Sequence, residues 1–193
     1  GEQIGNAIAE IILGETNPSG KLPITFPMRW EDCSAYETYK KEKGISKYTD
    51  GIFVGYRHFE KNKIKPLFPF GFGLSYTQFE YSDIKVTKDF LKSNDSLTVS
   101  FKVKNVGKRN GKEIAQLYIA DPVCSIERPE KELKRFSKVE LNPGEEKQIE
   151  FTIFPKDLMF YDKDWKTENG EFILMIGSSS SDIKLTSSIQ YYE

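Results

Sequence analysis

Leu97-Thr98-Val99-Ser100-Phe101-Lys102-Val103-Lys104-Asn105-Val106-Gly107 alternates apolar and polar side chains and then breaks into turn chemistry. Leu97, Val99, Phe101 and Val103 fall on one face and Thr98, Ser100 and Lys102 on the other. Successive side chains of a strand point to opposite faces, so this is the pattern of a half-buried strand. Asn105-Val106-Gly107 and Asn110-Gly111 supply the turns. The pattern recurs downstream, where Ile149, Phe151 and Ile153 follow the turn Asn142-Pro143-Gly144-Glu145. Counted this way, segments near 81–87, 96–104, 113–120, 132–141, 147–154, 158–161, 171–177 and 183–190 read as seven or eight strands.

That count and spacing predict a mainly β fold, an immunoglobulin or fibronectin type III-like β-sandwich over residues 80–193. Two of its strands break the alternation. Ile114-Ala115-Gln116-Leu117-Tyr118-Ile119 and Phe172-Ile173-Leu174-Met175-Ile176 are apolar on both faces, whereas a strand with one face in water should show a polar side there. The sheet that holds them is expected to be covered from outside, by the aromatic stretch upstream or by a further domain.

Upstream, Ile4, Ala7, Ile8, Ile11 and Ile12 recur at helical spacing and Gly14 stands where a helix ends, which predicts a helix over 3–13. The turn cluster Asn17-Pro18-Ser19-Gly20 leads to Leu22, Ile24 and Phe26, read as one short strand. Pro23 and Pro27 each remove a ladder donor and confine it to an edge. One helix and one edge strand cannot bury each other's apolar faces, so residues 1–28 are read as the remnant of a larger α/β body. Residues 29–79 form a connector. Gly51-Ile52-Phe53-Val54-Gly55-Tyr56 is read there as a short strand, and Pro66 to Leu74 is apolar yet too rich in proline and glycine for a helix. Its aromatics predict an ordered linker packed on a neighbouring surface rather than a solvated tether.

Composition excludes several classes of function. Lysine and arginine number 28 against 29 acidic residues, so no basic surface points to nucleic acid. No apolar run approaches the length needed to span a bilayer, and Gly1-Glu2-Gln3-Ile4 has no basic leader character, so neither a membrane role nor a cellular address is assigned. Cys33 and Cys124 lack metal spacing and read as free thiols. His58, the single histidine, reads as a packed linker residue rather than a catalytic base. No cysteine–histidine cluster or calcium loop stands out, Glu31-Asp32 included. Gly71-Phe72-Gly73 precedes Leu74-Ser75-Tyr76 rather than a helix, so a phosphate loop is not expected. Glu127, Glu130 and Glu132, and the pair Asp162 and Asp164, sit in charged, turn-like stretches and read as solvated carboxylates.

The order of motifs goes further. Gly5-Asn6-Ala7-Ile8-Ala9 with Gly14, Asn17-Pro18-Ser19-Gly20-Lys21-Leu22-Pro23 and Phe26-Pro27 resemble the end of the α/β sandwich domain of family 3 glycoside hydrolases of β-glucosidase type. Asp50-Gly51-Ile52-Phe53-Val54-Gly55-Tyr56-Arg57 and Pro66 to Thr77 resemble that family's passage into its fibronectin type III-like domain. Inside that domain the resemblance rests on Gln116-Leu117-Tyr118, Arg128-Pro129, Lys131-Glu132-Leu133, Pro143-Gly144-Glu145, Gly170-Glu171-Phe172, Gly177-Ser178-Ser179-Ser180 and Asp182. It implies a parent that hydrolyses terminal β-linked sugars by a retaining double displacement. It also implies that the nucleophilic aspartate and the acid/base glutamate belong to a barrel and an α/β domain upstream of Gly1. Asp164-Trp165 mimics the family's nucleophile dipeptide but sits in a hairpin context, where a turn and packing role is expected. No catalytic, cofactor-binding or metal residue is therefore assigned, and no cofactor. The expected partners are the barrel and α/β domains of the same enzyme, with β-linked glycosides as substrates of the whole and self-association open to this chain. The chain itself is expected to be a non-catalytic scaffold that docks on those domains, and two other readings stand beside this one. One is a carbohydrate- or polymer-binding module using Tyr36, Tyr39, Trp165, Tyr191 and Tyr192, and the other is a protein-protein interaction module using the two-sided strands.

Overall fold

The computed structural model describes residues 1–39, 44–45 and 47–193. Strands β1 (Phe79–Val86), β3 (Leu97–Asn105) and β6 (Glu146–Ile153) form an antiparallel sheet in the order β1-β3-β6. A second sheet runs in the order β2-β10-β9-β4-β5. Its members are β2 (Phe90–Lys92), β10 (Asp182–Tyr192), β9 (Gly170–Ser179), β4 (Gly111–Ala120) and β5 (Glu132–Leu141). A small hairpin, β7 (Phe160–Asp162) with β8 (Asp164–Lys166), completes the β structure.

The alternation along β3 does what its spacing requires. Leu97, Val99, Phe101 and Val103 are buried, and Val99 and Phe101 stand opposite Phe151 and Ile149 of β6. Across the sandwich, Ala115, Leu117 and Ile119 of β4 and Phe172, Leu174 and Ile176 of β9 join the same apolar core. Full burial of such side chains stabilises the fold by about 1.5–3 kcal/mol each. Tyr81 stacks on Phe101 at 6.2 Å and turns its hydroxyl to Glu113 Oε1, 3.1 Å away, so the core accommodates one polar atom with a partner.

Several sequence expectations need correction. β2 and β8 have no counterpart among the expected strands, because three residues carry no periodicity. β2 exists because it pairs in parallel with Gln190–Tyr192 of β10, which buries Leu91. Gly51–Tyr56 is not a strand: Gly51 and Gly55 adopt φ of 57° and 55°, which breaks an extended run, and helix α2 (Tyr56–Lys61) starts at its end. Leu22–Phe26 is reduced to a single bridge, Phe26 with Phe68. Its backbone partners lie inside the chain: Leu22 N donates to Phe72 O, Gly71 N to Leu22 O and Phe26 N to Phe68 O, each at 2.8 Å. Helix α1 (Ile4–Leu13) ends on Gly14 in the left-handed conformation as its spacing predicts, and none of its residues is buried.

Asn105, expected in a turn, is instead a buried hub. Its Nδ2 donates to Arg109 O (2.7 Å) and Leu141 O (2.9 Å), and its Oδ1 accepts from Thr77 Oγ1 (2.6 Å) and Gly107 N (3.1 Å). It thereby joins the end of the linker to both sheets. Asn105→Ala leaves these groups without their partner and is expected to cost about 3 kcal/mol. A lowered urea midpoint at unchanged m-value is the measurement that checks it.

Candidate docking surface

The apolar outer face of β4 finds its cover in the linker. On the outer face of β4, Gln116, Tyr118 and Ala120 are buried, and Tyr118 is 0% exposed although it lies outside the core between the sheets. The ring of Tyr56, at the start of α2, meets Tyr118 edge-on at 6.0 Å, and Phe70 packs on Tyr56 at 5.1 Å. Tyr118 donates its hydroxyl proton to Gln116 Oε1 at 2.5 Å, and Gln116 Nε2 donates to Ser178 O at 2.8 Å. Burial drives the Tyr118 hydroxyl pKa far above its ordinary value. The proline- and glycine-rich run is laid down against the sheet. Gly71 has φ 80°, and a Cβ there would fall 2.5 Å from Gln116 Oε1, so only glycine lets the backbone come this close.

Polar contacts fix the cover. Leu133 N donates to Tyr56 Oη (3.0 Å) and Ser180 N to Phe70 O (2.9 Å). Arg57 pairs with Glu132 (2.9 Å) and Lys131 with Glu60 (2.6 Å). Glu132 also receives Arg128 (3.1 Å) and Lys134 (3.2 Å), and Arg128 pairs with Asp121 at 2.7 Å. Burial pushes Glu132 up, but Lys134, Arg57 and Arg128 outweigh it and hold its carboxyl below the usual range. For Glu60 burial wins over Lys131 and its carboxyl titrates high.

The two shifts have opposite consequences for stability. Glu132, depressed in the fold, contributes stability above the ordinary carboxylate range that is lost as pH falls through its folded pKa. Glu60, raised in the fold, contributes fully below the ordinary range and loses that contribution as pH rises through its folded pKa. Glu60→Gln is therefore expected to gain stability relative to the unaltered chain as pH rises through that window. Urea midpoints of both proteins across the acid range test this, and a constant difference would contradict it.

Beside this anchored cover lies an unpartnered apolar face. Ile4, Ile8 and Ile12 of α1 are 64%, 50% and 73% exposed, and Ile24, Met28, Leu67 and Leu74 are exposed as well. A groove of about 590 Å³, walled by Ile11, Leu22, Phe26, Phe68, Phe72 and Leu74, runs between the helix and the bridged segments. The face is held rigidly from behind. Tyr76 Oη donates to Ile11 O (2.7 Å), Arg109 Nη1 to Gly14 O (3.0 Å) and Asn17 Nδ2 to Asn110 O (2.8 Å), while Lys21 forms a largely buried ion pair with Glu113 at 3.0 Å. Exposed apolar area of this kind on a fixed support is the mark of an interaction surface.

The residues singled out in the sequence are dispersed. His58 braces the linker, with Nε2 at 3.1 Å from Asp32 O and Nδ1 at 3.2 Å from Asn62 Nδ2. Asp164 and Trp165 lie on the β7–β8 hairpin, where Trp165 meets Tyr161 edge-on at 5.6 Å and stays 67% exposed. Tyr36 and Tyr39 pack around Trp30, Tyr191 is buried against Phe172, and Tyr192 is half-exposed. Glu127 pairs with Lys61, Glu130 with Lys63 and Asp162 with Lys166. Cys33 and Cys124 are free and half-buried. Among the described residues no three His, Cys, Asp or Glu side chains are grouped to hold a metal. Sequence reading missed Tyr56 and Arg128 as anchors. Both stood inside motifs quoted above, but neither carries a spacing that shows what it touches.

Residues 1–76 match the glycosyl hydrolase family 3 C-terminal domain, and residues 113–180 match the fibronectin type III-like domain. Thermostable beta-glucosidase B of Acetivibrio thermocellus is 51% identical over 98% of this chain, and Beta-glucosidase BoGH3A of Bacteroides ovatus 46% over 98%. The solved structure of beta-glucosidase 3B from Thermotoga neapolitana in complex with glycerol superposes over 100% of this chain at a TM-score of 0.92 and 38% identity. The chain spans about a quarter of the length of these relatives: 26% of each curated protein and 27% of the solved one.

Proposed function

The chain belongs to glycosyl hydrolase family 3, and on that premise we propose that it is the non-catalytic docking scaffold of a β-glucosidase-type enzyme. The observation that carries this reading is α1 together with its neighbouring groove. The helix has an apolar stripe and no buried residue, yet its last turn and the segment after it are tied to the sandwich by Tyr76, Asn17 and Arg109. A surface built this way is made to receive another apolar surface. Its occupant is the remainder of an α/β body, to which α1 adds a helix, with the catalytic barrel beyond it. The relatives' printed activity supports β-linked glucosides as substrates of the whole enzyme.

A retaining glycosidase needs two carboxyl groups about 5–5.5 Å apart across the scissile bond, one to attack and one to protonate the leaving oxygen. Among the described residues, buried and part-buried carboxylates are committed elsewhere: Asp32 to Arg29, Glu60 to Lys131, Glu113 to Lys21, Asp121 to Arg128, Glu132 to Arg57, Arg128 and Lys134, and Asp157 to Arg135. Neutralised in this way they hold the linker and bridge the segments. The aromatics that a carbohydrate-binding module would need sit in separate settings, around Trp30, in the core and on the hairpin, which favours the scaffold. Incubating the chain by itself with an aryl β-glucoside is expected to give no turnover. Turnover abolished by altering one carboxylate of this chain would overturn the reading.

A further inference from the structure

One cleft in the linker has polar atoms that nothing in the fold uses. It measures about 200 Å³ and lies where α2, Thr25, the Pro66–Pro69 segment and the β9–β10 turn meet. Thr25 Oγ1 and Glu60 Oε2 are buried on its wall, and neither has a hydrogen-bond partner among the described residues. Glu60 Oε1, by contrast, accepts from Lys131 Nζ at 2.6 Å, so the carboxylate is anchored by one oxygen and presents the other. Ser180 and Ser181 add polar groups, and Tyr56, Phe59, Pro66 and Pro69 add an apolar wall.

Leaving a buried polar atom without a partner is costly, and two of them sharing one cleft call for a partner there. The chemistry of that partner is restricted. Glu60 Oε2 accepts when the carboxyl is ionised and can also donate when it is protonated, and the threonine hydroxyl both donates and accepts, so the ligand must carry polar groups that can do both, as hydroxyls do. The charges around the cleft are already matched, Glu60 with Lys131 and Glu130 with Lys63. A cation would have to displace Lys131, and an anion would meet the free carboxylate oxygen. The prolines and rings suit C–H surface, as a sugar or polyol presents between its hydroxyls. One water fills about 10–15 Å³ of such a space, so the cleft has room for a molecule rather than a single solvent. We propose that this cleft binds a neutral polyhydroxylated small molecule, from glycerol to a monosaccharide in size, through Thr25 and Glu60. The inference does not draw on the docking reading, because this chain's own residues line the cleft and none of them belongs to α1 or its groove.

Amide NMR titration of the 193-residue chain with glycerol and, separately, with glucose is the test, ammonium chloride serving as the cationic control. Saturable shifts at Thr25, Glu60 and Ser180 are expected with at least one of the two polyols, and which one saturates at the lower concentration identifies the source. Thr25→Val keeps the shape, so it should weaken binding roughly tenfold, the loss of one hydrogen bond. Without ligand, Thr25→Val should melt at the same or a higher temperature, since its hydroxyl gives up no protein partner. Glu60→Gln should weaken binding without abolishing it. Shifts that stay linear with both polyols, meaning that water alone fills the cleft, would overturn the proposal. So would an unchanged affinity in Thr25→Val, or saturation at the same amides by ammonium instead.

Discussion

Tyr118→Ala is expected to destabilise the chain by about 3–5 kcal/mol, as large-to-small changes at buried aromatics do. Ordinarily such a loss reports on the core between two sheets. Here it reports on the opposite face, because Tyr118 belongs to the cover: its ring meets Tyr56 and its hydroxyl bonds Gln116, which in turn holds Ser178. The cavity left behind should free Tyr56 and Phe70 before it affects Leu117 or Phe101. Hydrogen exchange separates the two cases. Faster exchange of the amides bonded across the cover, Leu133 and Ser180, with β3–β6 still protected, is the expected pattern. Tyr118→Phe, which keeps the packing and loses one hydrogen bond, should cost only about 1 kcal/mol.

Arg128→Ala should match that loss by electrostatics. Arg128 and Asp121 have side chains 7% and 5% exposed, and the guanidinium also reaches Glu132 and the carbonyl of Leu158 while standing over the ring of Phe160. Removing one member of a buried pair leaves the other charge without compensation, at about 3–5 kcal/mol. Burial already pushes the Asp121 carboxyl above its ordinary value despite Arg128. In the variant it should take up a proton more readily still. The deficit relative to the unaltered chain should therefore shrink as pH falls, which urea midpoints at neutral and acid pH would show. Arg128→Lys should not rescue, because an ammonium cannot span two carboxylates and a carbonyl with a planar fork.

What was legible in the sequence follows from what is local. Leu97 to Val103 and Ile149 to Ile153 announce their strands because period two needs no partner to be read. The apolar outer sides of β4 and β9 announced a cover, since such a face has to be hidden from water, and on β4 the linker with Tyr56 and Phe70 supplies it. Features made by distant partners were not legible. β2 forms because β10, about a hundred residues on, offers it an edge, and Asn105 reads as a turn residue until Thr77 and Leu141 close around it. The segment from Gly51 reads as a strand because its glycines hide their positive φ in the sequence. Of the docking surface, the stripe on α1 was visible and the groove beside it was not, because Phe26 reaches Phe68 and Phe72 only once its segment has folded back onto theirs. The cleft at Thr25 and Glu60 draws on four separate segments, and no spacing rule joins them.

Reconstitution of the enzyme from two pieces shows whether this chain docks through α1. The portion of Thermostable beta-glucosidase B that this chain does not match is produced separately and assayed on an aryl β-glucoside with and without this chain, and with its Ile8→Glu variant. Turnover is expected to rise when the chain is added and to fall back with Ile8→Glu, which puts a charge on the exposed stripe of α1 while leaving the sandwich folded. Equal stimulation by the chain and by Ile8→Glu, or no association of either with that portion, would contradict docking through α1.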